Sequence, residues 1–231
     1  MAKKKKKISP LYTYDKPKST ISEKFRGIRS NIMFSNANAE ISDVIVTSEK
    51  PAAGKSTIAA NIAITYAQAG YKTLIIDGDM RKPTQHYIFD LTNNNGLSNF
   101  MIEKALYQDA IKDVFVDNLF VLTSGPTPPN PSELIGSEKF KTVYQQLKQD
   151  FDFIVVDTPP IMSVTDAQLY AINVRACILV IDSEKNDKKE VKKAKELITT
   201  SGAKVIGVVL NKMPKDKSSS YYYYYGDDSN D

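Results

Sequence analysis

The most informative stretch of the chain is TSEKPAAGKST at residues 47–57, which directly follows the apolar run Val44-Ile45-Val46. A strand, a tight loop and a helix that begins at Lys55 form a phosphate cradle, because the first turn of a helix has unpaired N–H groups and a partial positive charge. Lys55 adds a full charge for the β and γ phosphates, and the Ser56 hydroxyl suits Mg²⁺. Glu49 replaces the first glycine of the consensus G-x-x-x-x-G-K-[ST], so a simple glycine-containing turn is the alternative. The stretch predicts a nucleoside triphosphate site.

Two further strands end in acidic residues. One apolar run, residues 73–76, is followed by Asp77 and Asp79, and another, residues 153–156, is followed by Asp157. Ligands bind at the carboxyl ends of the strands in an open parallel sheet, so these carboxylates can meet the phosphate loop although they are distant in sequence. Each aspartate alone is also a common turn residue. Together they predict one metal and phosphate centre.

Length and composition favour one α/β domain with its own core, since 231 residues with 42% hydrophobic content need no metal or disulfide for stability. The single cysteine, Cys177, lies in an apolar strand, which indicates a core position and a reducing compartment. No apolar stretch reaches the ~20 residues that cross a bilayer, and no signal-peptide hydrophobic region follows the start. We therefore expect a cytoplasmic protein.

A block of five lysines, Lys3 to Lys7, concentrates positive charge in a chain of net charge +4. We expect a basic, disordered N-terminal end over about residues 1–18. It is either a solvated tail or a segment attracted to an anionic membrane surface or, without specificity, to nucleic acid. The rest of the chain has no recognition motif for nucleic acid, so no nucleic-acid partner is predicted.

Apolar strands alternate with amphipathic stretches along the chain. Strands are expected near residues 43–47, 73–77, 119–123, 152–157, 176–182 and 204–210. Their nearly continuous Val, Ile and Leu runs are typical of strands buried on both faces. The sequence predicts an α/β fold like that of P-loop NTPases: a doubly wound, mostly parallel sheet with helices on both faces. The proline-rich residues 124–132 are expected to form a loop on the ligand side, before a helix from about Glu138.

Residues 19–35 have apolar side chains at helical spacing, which predicts a helix with a core-facing side. Glu23, Arg26 and Arg29 recur every third residue and share one stripe of its surface. This stripe is either a solvated charged face or a contact with a neighbouring subunit, because arginine pairs well with carboxylates across an interface.

The other end of the chain contains a run of five tyrosines: Tyr221, Tyr222, Tyr223, Tyr224 and Tyr225. Neither a strand nor a helix buries all five, so a mobile tail is predicted over about residues 214–231. The run is either a low-complexity tail or a cluster of phosphoacceptors, in which each phosphate adds about −1.5 to −2 charges.

These motifs together resemble those of the bacterial tyrosine kinases (BY-kinases) of capsule and exopolysaccharide synthesis, in particular the separate cytoplasmic subunit of Gram-positive systems. The resemblance covers nearly the whole chain, as a single kinase domain over residues 1–231. It rests on the phosphate loop at 48–57, LIIDGDMRKP at 74–83, FIVVDTPP at 153–160, the Glu-x-x-Arg-x-x-Arg helix and the tyrosine tail. The element at 74–83 and the tail are specific when they occur together.

The resemblance implies an ATP-dependent protein-tyrosine autokinase. Its catalytic residues would be Lys55, Asp77, Asp79 and Asp157. Magnesium would be held by Ser56, Asp77 and Asp157. ATP or ADP would be bound by Glu49, Lys50, Pro51, Ala52, Ala53, Gly54, Lys55, Ser56, Thr57 and Asn211. Arg81 and Lys82 would contact the acceptor or the transferring phosphoryl group, unless they form an exposed turn.

The resemblance also implies partners. Glu23, Arg26 and Arg29 would contact a neighbouring subunit in a homo-oligomeric ring, and the tyrosine tail of one subunit would be phosphorylated by the next. The cytoplasmic tail of a transmembrane chain-length regulator would activate the kinase and hold it at the inner face of the cell membrane. A tyrosine phosphatase would reverse the reaction, and the cycle would regulate polysaccharide synthesis and export.

One position departs from the family loop, which usually has glycine where Ala52 stands. If Ala52 takes a positive φ, the strain costs about 1 kcal/mol or more, so Ala52→Gly should tighten ATP binding.

Two other functional classes fit part of the pattern. A partition or division-site ATPase has the same scaffold, and Lys50 is a candidate for the additional lysine of its phosphate loop. A non-enzymatic, nucleotide-binding scaffold of an export complex is the other alternative.

Overall fold

The apolar runs of the sequence form strands at the expected positions in a computed structural model, which describes residues 10–35 and 41–214. The strands are β1 (Asp43–Ser48), β2 (Thr73–Asp77), β3 (Ile111–Asp113), β4 (Leu119–Leu122), β5 (Phe153–Asp157), β6 (Ala176–Asp182) and β7 (Lys204–Asn211). The helices are α1 (Tyr12–Asp15), α2 (Thr20–Phe34), α3 (Lys55–Ala67), α4 (Gln85–Ile88), α5 (Leu97–Met101), α6 (Tyr107–Ala110), α7 (Pro131–Ile135), α8 (Glu138–Asp150), α9 (Asp166–Asn173) and α10 (Lys188–Thr200).

The described strands form one sheet in the order β3-β4-β2-β5-β1-β6-β7. All neighbours are parallel except β3 and β4, which confirms the predicted α/β, mostly parallel sheet. The sequence did not predict β3, because a strand of three residues without a buried member has no apolar signal. The order places the carboxyl ends of β2, β5 and β1 side by side, which is the arrangement that gathers the predicted site.

Helices cover both faces of the sheet, as predicted. Along β1, Ile45 packs into one apolar cluster with α8, α9 and α10, whereas Val44 and Val46 pack into a second cluster with α2 and α3. Every residue of α3 except Thr57 is buried. The phosphate loop therefore leads into the most deeply packed helix, which fixes the position of that helix's first turn.

The segment of residues 10–18 is ordered, so the expected disordered end over 1–18 is wrong for these residues. Leu11 is buried, and both the backbone N–H and the hydroxyl of Thr13 donate to Asn61 Oδ1 at 2.9 Å. The lysine block gave no indication that the chain after it packs against α3. Residues 1–9, with the lysines, lie outside the described residues, and so does the tyrosine cluster.

Two other boundaries follow from local chemistry. The predicted loop over 124–132 ends slightly earlier, because Pro131 starts α7 in the first helical position, where its missing N–H costs no hydrogen bond. The predicted helix from Glu138 is confirmed, and Ser137 caps it by accepting a hydrogen bond from the Phe140 N–H. None of the helices in the described ranges combines the length and apolar composition needed to cross a membrane.

Candidate active site

The phosphate loop connects β1 to α3 and turns sharply at Gly54. Gly54 has φ 94°, and a β-carbon there would clash with the side-chain amide of Asn211. Both the left-handed backbone and the lack of space require glycine at this position. The loop thereby presents the start of α3, with Lys55 as its first residue, at the carboxyl edge of the sheet.

Lys55 lies at the centre of the predicted carboxylate cluster. Its Nζ is 3.3 Å from Asp79 Oδ2, 3.3 Å from Asp157 Oδ1 and 3.3 Å from the Ser56 hydroxyl. Burial lowers the pKa of Lys55, but the carboxylates of Asp157 and Asp79 outweigh burial and raise it overall. The side chain is therefore a charged ammonium group shared among several oxygens.

Asp77 and Asp157 are partners in the register of β2 and β5, so their side chains meet at the end of the sheet. Gly78 makes this approach feasible, since its N–H donates to the Asp157 carbonyl at 2.8 Å and a β-carbon would stand only 2.9 Å from that oxygen. Both carboxylates are fully buried. Close packing of the β2 end against the β5 end therefore requires glycine between Asp77 and Asp79.

The two buried carboxylates repel each other. Asp77 Oδ2 accepts hydrogen bonds from the N–H groups of Thr84 and Gln85, at 2.9 and 2.8 Å, whereas Oδ1 has no hydrogen-bond partner among the described residues. Burial and the neighbouring Asp157 raise the pKa of Asp77 to about 8, against the two backbone hydrogen bonds and Lys55. The cluster therefore has more negative charge than Lys55 balances, which favours an added cation.

These residues fit magnesium bound together with a nucleotide. Mg²⁺ uses one or two protein carboxylates, keeps several waters and takes its other ligands from phosphates. The structure supplies the Ser56 hydroxyl, the Asp157 carboxylate and the unpaired Asp77 Oδ1. Over residues 10–35 and 41–214, no group of three or more His, Cys, Asp or Glu residues could hold a metal by itself. A metal site completed by phosphate oxygens agrees with both observations.

Comparisons with known proteins show the family of this chain. A family model described as ParA, NUBPL iron-transfer P-loop NTPase, matches residues 40–228. CapB of Staphylococcus aureus is 72% identical over 228 residues, covering 99% of this chain and 100% of that protein. The tyrosine-protein kinase YwqD of Bacillus subtilis is 42% identical over 195 residues, covering 84% of this chain and 82% of that protein.

The chain belongs to the bacterial tyrosine kinases of the capsule type. The crystal structure of the chimerical protein CapA2B2 agrees, with a TM-score of 0.88 and 58% identity over 90% of this chain and 92% of that one. The predicted P-loop NTPase-like fold and the protein-tyrosine kinase activity are therefore confirmed. A role as an autokinase in capsule synthesis is supported, and neither the partition-type ATPase nor the non-enzymatic scaffold is favoured.

The edge strand of the kinase holds the outer side of the phosphate loop. Asn211, the last residue of β7, donates its amide to the Ala53 carbonyl at 2.8 Å. Lys212 Nζ donates to the Ala52 carbonyl at 2.7 Å and contacts Asp182 Oδ2 at 2.7 Å. Ala52 has φ 63°, so the condition for strain set out from the sequence is met. Contact of Asn211 with the nucleotide stays a prediction.

Glu49 and Lys50 turn towards the β6–α10 connection. Lys50 Nζ donates to the Lys185 carbonyl and lies 3.7 Å from Glu190 Oε2. Glu49 is buried, and its carboxylate oxygens have no hydrogen-bond partner among the described residues; Lys50 Nζ is 4.0 Å away. Burial raises the pKa of Glu49, and the nearby ammonium group of Lys50 opposes this rise only in part. The structure thus separates both side chains from the Lys55 cluster, and nucleotide contacts by them stay predictions.

The remaining loop residues predicted to bind nucleotide differ in exposure. Pro51 and Ala52 are exposed, Ala53 is buried, and Thr57 is half-buried in the first turn of α3. The Thr57 carbonyl accepts a hydrogen bond from Asn61 within the helix. Their roles rest on the position of the loop and stay predictions.

The Arg81 guanidinium is paired within the chain rather than free to contact an acceptor tyrosine. Its Nε and Nη2 donate to the two oxygens of Asp166, at 2.9 and 3.1 Å, and Nη2 also donates to the Ser132 hydroxyl at 3.1 Å. The pair raises the pKa of Arg81. Lys82 has an exposed side chain, and its N–H donates to Asp79 Oδ1 at 3.0 Å. Arg81 therefore ties the loop after β2 to α7 and α9, and a phosphoryl contact by either residue stays a prediction.

The predicted interface stripe on α2 divides in two. Glu23 forms an ion pair with Arg26, whose guanidinium also donates to the Pro17 carbonyl. Arg29 turns inward, donating to the Thr65 carbonyl of α3 at 2.6 Å. Glu23 and Arg26 are accessible to a neighbour, whereas Arg29 is partly committed to its own subunit. The interface stays a prediction.

Sequence reasoning missed three residues of this region: Gln85, Asp166 and Lys212. Gln85 lies in a connection without periodicity, and Asp166 has the ordinary pattern of an acidic residue in the first turn of a helix. Lys212 directly follows the strand-end Asn211, and that adjacency was the only available signal.

Proposed function

We propose that the kinase transfers the γ-phosphoryl group of ATP, with magnesium, to the cluster Tyr221–Tyr225 of another copy of the chain. This phosphorylation regulates capsular or exopolysaccharide synthesis and export. One observation carries the proposal: Lys55 lies 3.3 Å from both Asp79 and Asp157, at the mouth of the phosphate loop.

Lys55 is placed to move onto a bound triphosphate. Charge-assisted N–H···O contacts are usually about 2.7–2.9 Å, so two contacts of 3.3 Å hold the ammonium loosely between carboxylates. Phosphate oxygens at the helix start offer shorter, stronger partners, and the departure of the ammonium frees an oxygen of Asp79. Phosphoryl transfer needs mainly such positioning and neutralisation of charge.

Asp79 is the proposed base. Of the three aspartates it alone retains measurable exposure, 5%, whereas Asp77 and Asp157 have none. The incoming tyrosine oxygen forms a bond to the γ-phosphorus, the bond between that phosphorus and the ADP oxygen breaks, and the hydroxyl proton passes to Asp79. Magnesium bound to the nucleotide would be held by Ser56, Asp157 and Asp77, and it supplies positive charge against the phosphate oxygens.

Transfer between subunits requires an oligomer. Glu23 is exposed and Arg26 is half-buried on α2, so each can replace its partner within the chain by a charged group of a neighbouring copy. This accessibility supports a contact between copies. We propose a ring, with Arg29 bracing α2 against α3 rather than reaching across. The tail of one subunit then enters the neighbouring site, and added phosphates repel it from the acidic cluster.

A transmembrane chain-length regulator is the proposed activator, and the kinase associates with the inner face of the membrane through its cytoplasmic tail. The likeness to the CapA2B2 chimera supports a partner of this kind. A tyrosine phosphatase completes the cycle. The net charge of +4 is compatible with an anionic membrane surface nearby.

Transfer between copies is tested by mixing two variants with radiolabelled ATP and magnesium. The donor lacks residues 215–231 but retains the site, and the acceptor is the full chain with Lys55→Met. Label on the tyrosines of the acceptor in the mixture, and none with the acceptor alone, is the expected result. Label on wild-type chains without any in the mixture would show that each chain modifies itself, which contradicts the proposal.

A further inference from the structure

Gln85, the first residue of α4, forms hydrogen bonds with Asp77, Asp157 and Ser56, which lie on three different elements of the site. Its backbone N–H donates to Asp77 Oδ2 at 2.8 Å. Its side-chain Nε2 donates to Asp157 Oδ2 at 2.8 Å and to the Ser56 carbonyl at 3.2 Å. The residue is fully buried. One glutamine therefore joins the ends of β2 and β5 to the first turn of α3.

The orientation of the amide follows from its partners. A carboxylate and a carbonyl only accept hydrogen bonds, so the NH₂ group must face Asp157 and Ser56, and a flipped amide would set oxygen against oxygen. Oε1 consequently points elsewhere, buried and without a hydrogen-bond partner among the described residues. Asp77 Oδ1 is in the same condition.

The contact restricts the Asp157 carboxylate to one rotation. Oδ2 is held by Gln85, which leaves Oδ1 as the oxygen shared with Lys55. A carboxylate that must bind a cation benefits from such restraint, because outer-shell hydrogen bonds orient metal ligands and strengthen metal binding. The unpaired Gln85 Oε1 and Asp77 Oδ1 are acceptors that metal-bound water can satisfy.

We infer that Gln85 is a positioning residue for magnesium, which holds the Asp157 carboxylate in the orientation that the metal–nucleotide complex requires. The inference rests on the proposed function, since it needs the site to bind magnesium with nucleotide. Gln85 itself forms no bond to the reacting atoms.

The test measures binding of a fluorescent ADP analogue by purified full-length protein while magnesium is titrated. For Gln85→Ala, the magnesium concentration at half-saturation should rise about 10- to 100-fold, the range for lost outer-shell partners. Nucleotide affinity in EDTA should change less than twofold, because the phosphate loop is retained. Gln145→Ala, an exposed glutamine of α8, is the matched control and should behave as wild type.

Gln85→Ala removes a buried side chain and can weaken folding. Gln85→Glu is the second variant because it retains the size and shape of the side chain. Glu places a carboxyl oxygen against Asp157 Oδ2 where the wild-type amide donates a hydrogen bond. At a fixed pH, the magnesium requirement of Gln85→Glu should therefore rise at least tenfold, while nucleotide affinity in EDTA changes less than twofold. A purely structural role predicts that both quantities worsen together.

Two results would overturn the inference, and they are distinguishable. Equal magnesium dependence of wild type, Gln85→Ala and Gln85→Glu would remove Gln85 from the metal site and leave the proposed function intact. If the affinity of the wild-type protein for the nucleotide did not change with magnesium concentration, the metal–nucleotide site itself would be refuted, and the inference with it.

Discussion

The two sides of the phosphate loop are held by different kinds of structure. The inner side faces the central strands β2 and β5, where Lys55, Asp77 and Asp157 form a buried charged cluster. The outer side faces the edge strand β7, where Asn211 and the partly exposed Lys212 bind loop carbonyls. The inner side therefore contains the residues proposed for the chemistry, and the outer side sets the shape of the loop.

The inner side should tolerate no loss of its ammonium group. Lys55→Met removes the charge that neutralises the phosphates, and we expect tyrosine phosphorylation to fall by at least about 10²-fold, the scale for one lost electrostatic contact in a transition state. Initial rates of labelling with radiolabelled ATP measure the effect. Lys193→Met, at an exposed position on α10, is the control and should label as wild type. Labelling of Lys55→Met within tenfold of wild type would contradict the role assigned to the inner side.

The inner side should also be electrostatically strained without a cation. The pKa of Asp77 is about 8 in the folded protein, against an ordinary value of 3.8 that applies to the unfolded chain. Its contribution to the free energy of unfolding is therefore fully present below about pH 4 and is lost as the pH rises towards 8. Asp77→Asn does not titrate. The free energy of unfolding of Asp77→Asn minus that of wild type should therefore be roughly 2 kcal/mol larger at pH 8 than at pH 6. Nucleotide-free denaturant titrations at both pH values measure the gain, and an unchanged difference would contradict the assignment.

The outer side should be sensitive to shape rather than to charge. Gly54→Ala places a β-carbon against Asn211 and imposes φ 94° on alanine, so nucleotide affinity should fall about tenfold or more. Calorimetric titration with ADP and magnesium measures the loss. Adding Asn211→Ala removes the clash but not the backbone strain, and it should restore only part of the affinity. Full affinity in Gly54→Ala alone would show that the loop is not tightly held by β7.

The smallest effect should come from relief of strain at Ala52. Ala52 has φ 63°, so Ala52→Gly removes about 1 kcal/mol of backbone strain. ATP affinity gains several-fold if the complex holds this conformation more strictly than the free loop does, because strain that is equal in both states cancels. The same titration measures it, with Ala53→Gly as the neighbouring control. Equal or weaker binding would mean that the Lys212 contact already compensates for the strain.

The same division explains what the sequence could predict. The inner residues Lys55, Asp77 and Asp157 each follow an apolar strand, and in a parallel sheet those ends converge by topology alone. Gln85 contacts Asp157, 72 residues away in sequence, and Lys212 contacts Ala52, 160 residues away; no local period encodes such contacts. The order of residues 10–18 was missed for the same reason, because Thr13 depends on Asn61 of α3.

Arg81 shows what sequence position alone leaves open. Its place after Asp77 and Asp79 is compatible with a phosphate contact or with an exposed turn, and the structure adds a bidentate partner, Asp166 on α9, that the sequence pattern did not indicate. Lys50 similarly contacts the Lys185 carbonyl. Charge type and proximity in sequence identify candidates, whereas competition among nearby carboxylates and carbonyls decides which partner each cation takes.

Peptide mass spectrometry of the wild-type chain after incubation with ATP and magnesium shows whether the cluster around Lys55 transfers phosphate to tyrosine. We expect phosphate on residues within Tyr221–Tyr225, dependent on magnesium and absent from Lys55→Met treated in parallel. Release of free phosphate without any modified tyrosine would contradict it, since the gathered cluster would then serve hydrolysis rather than transfer.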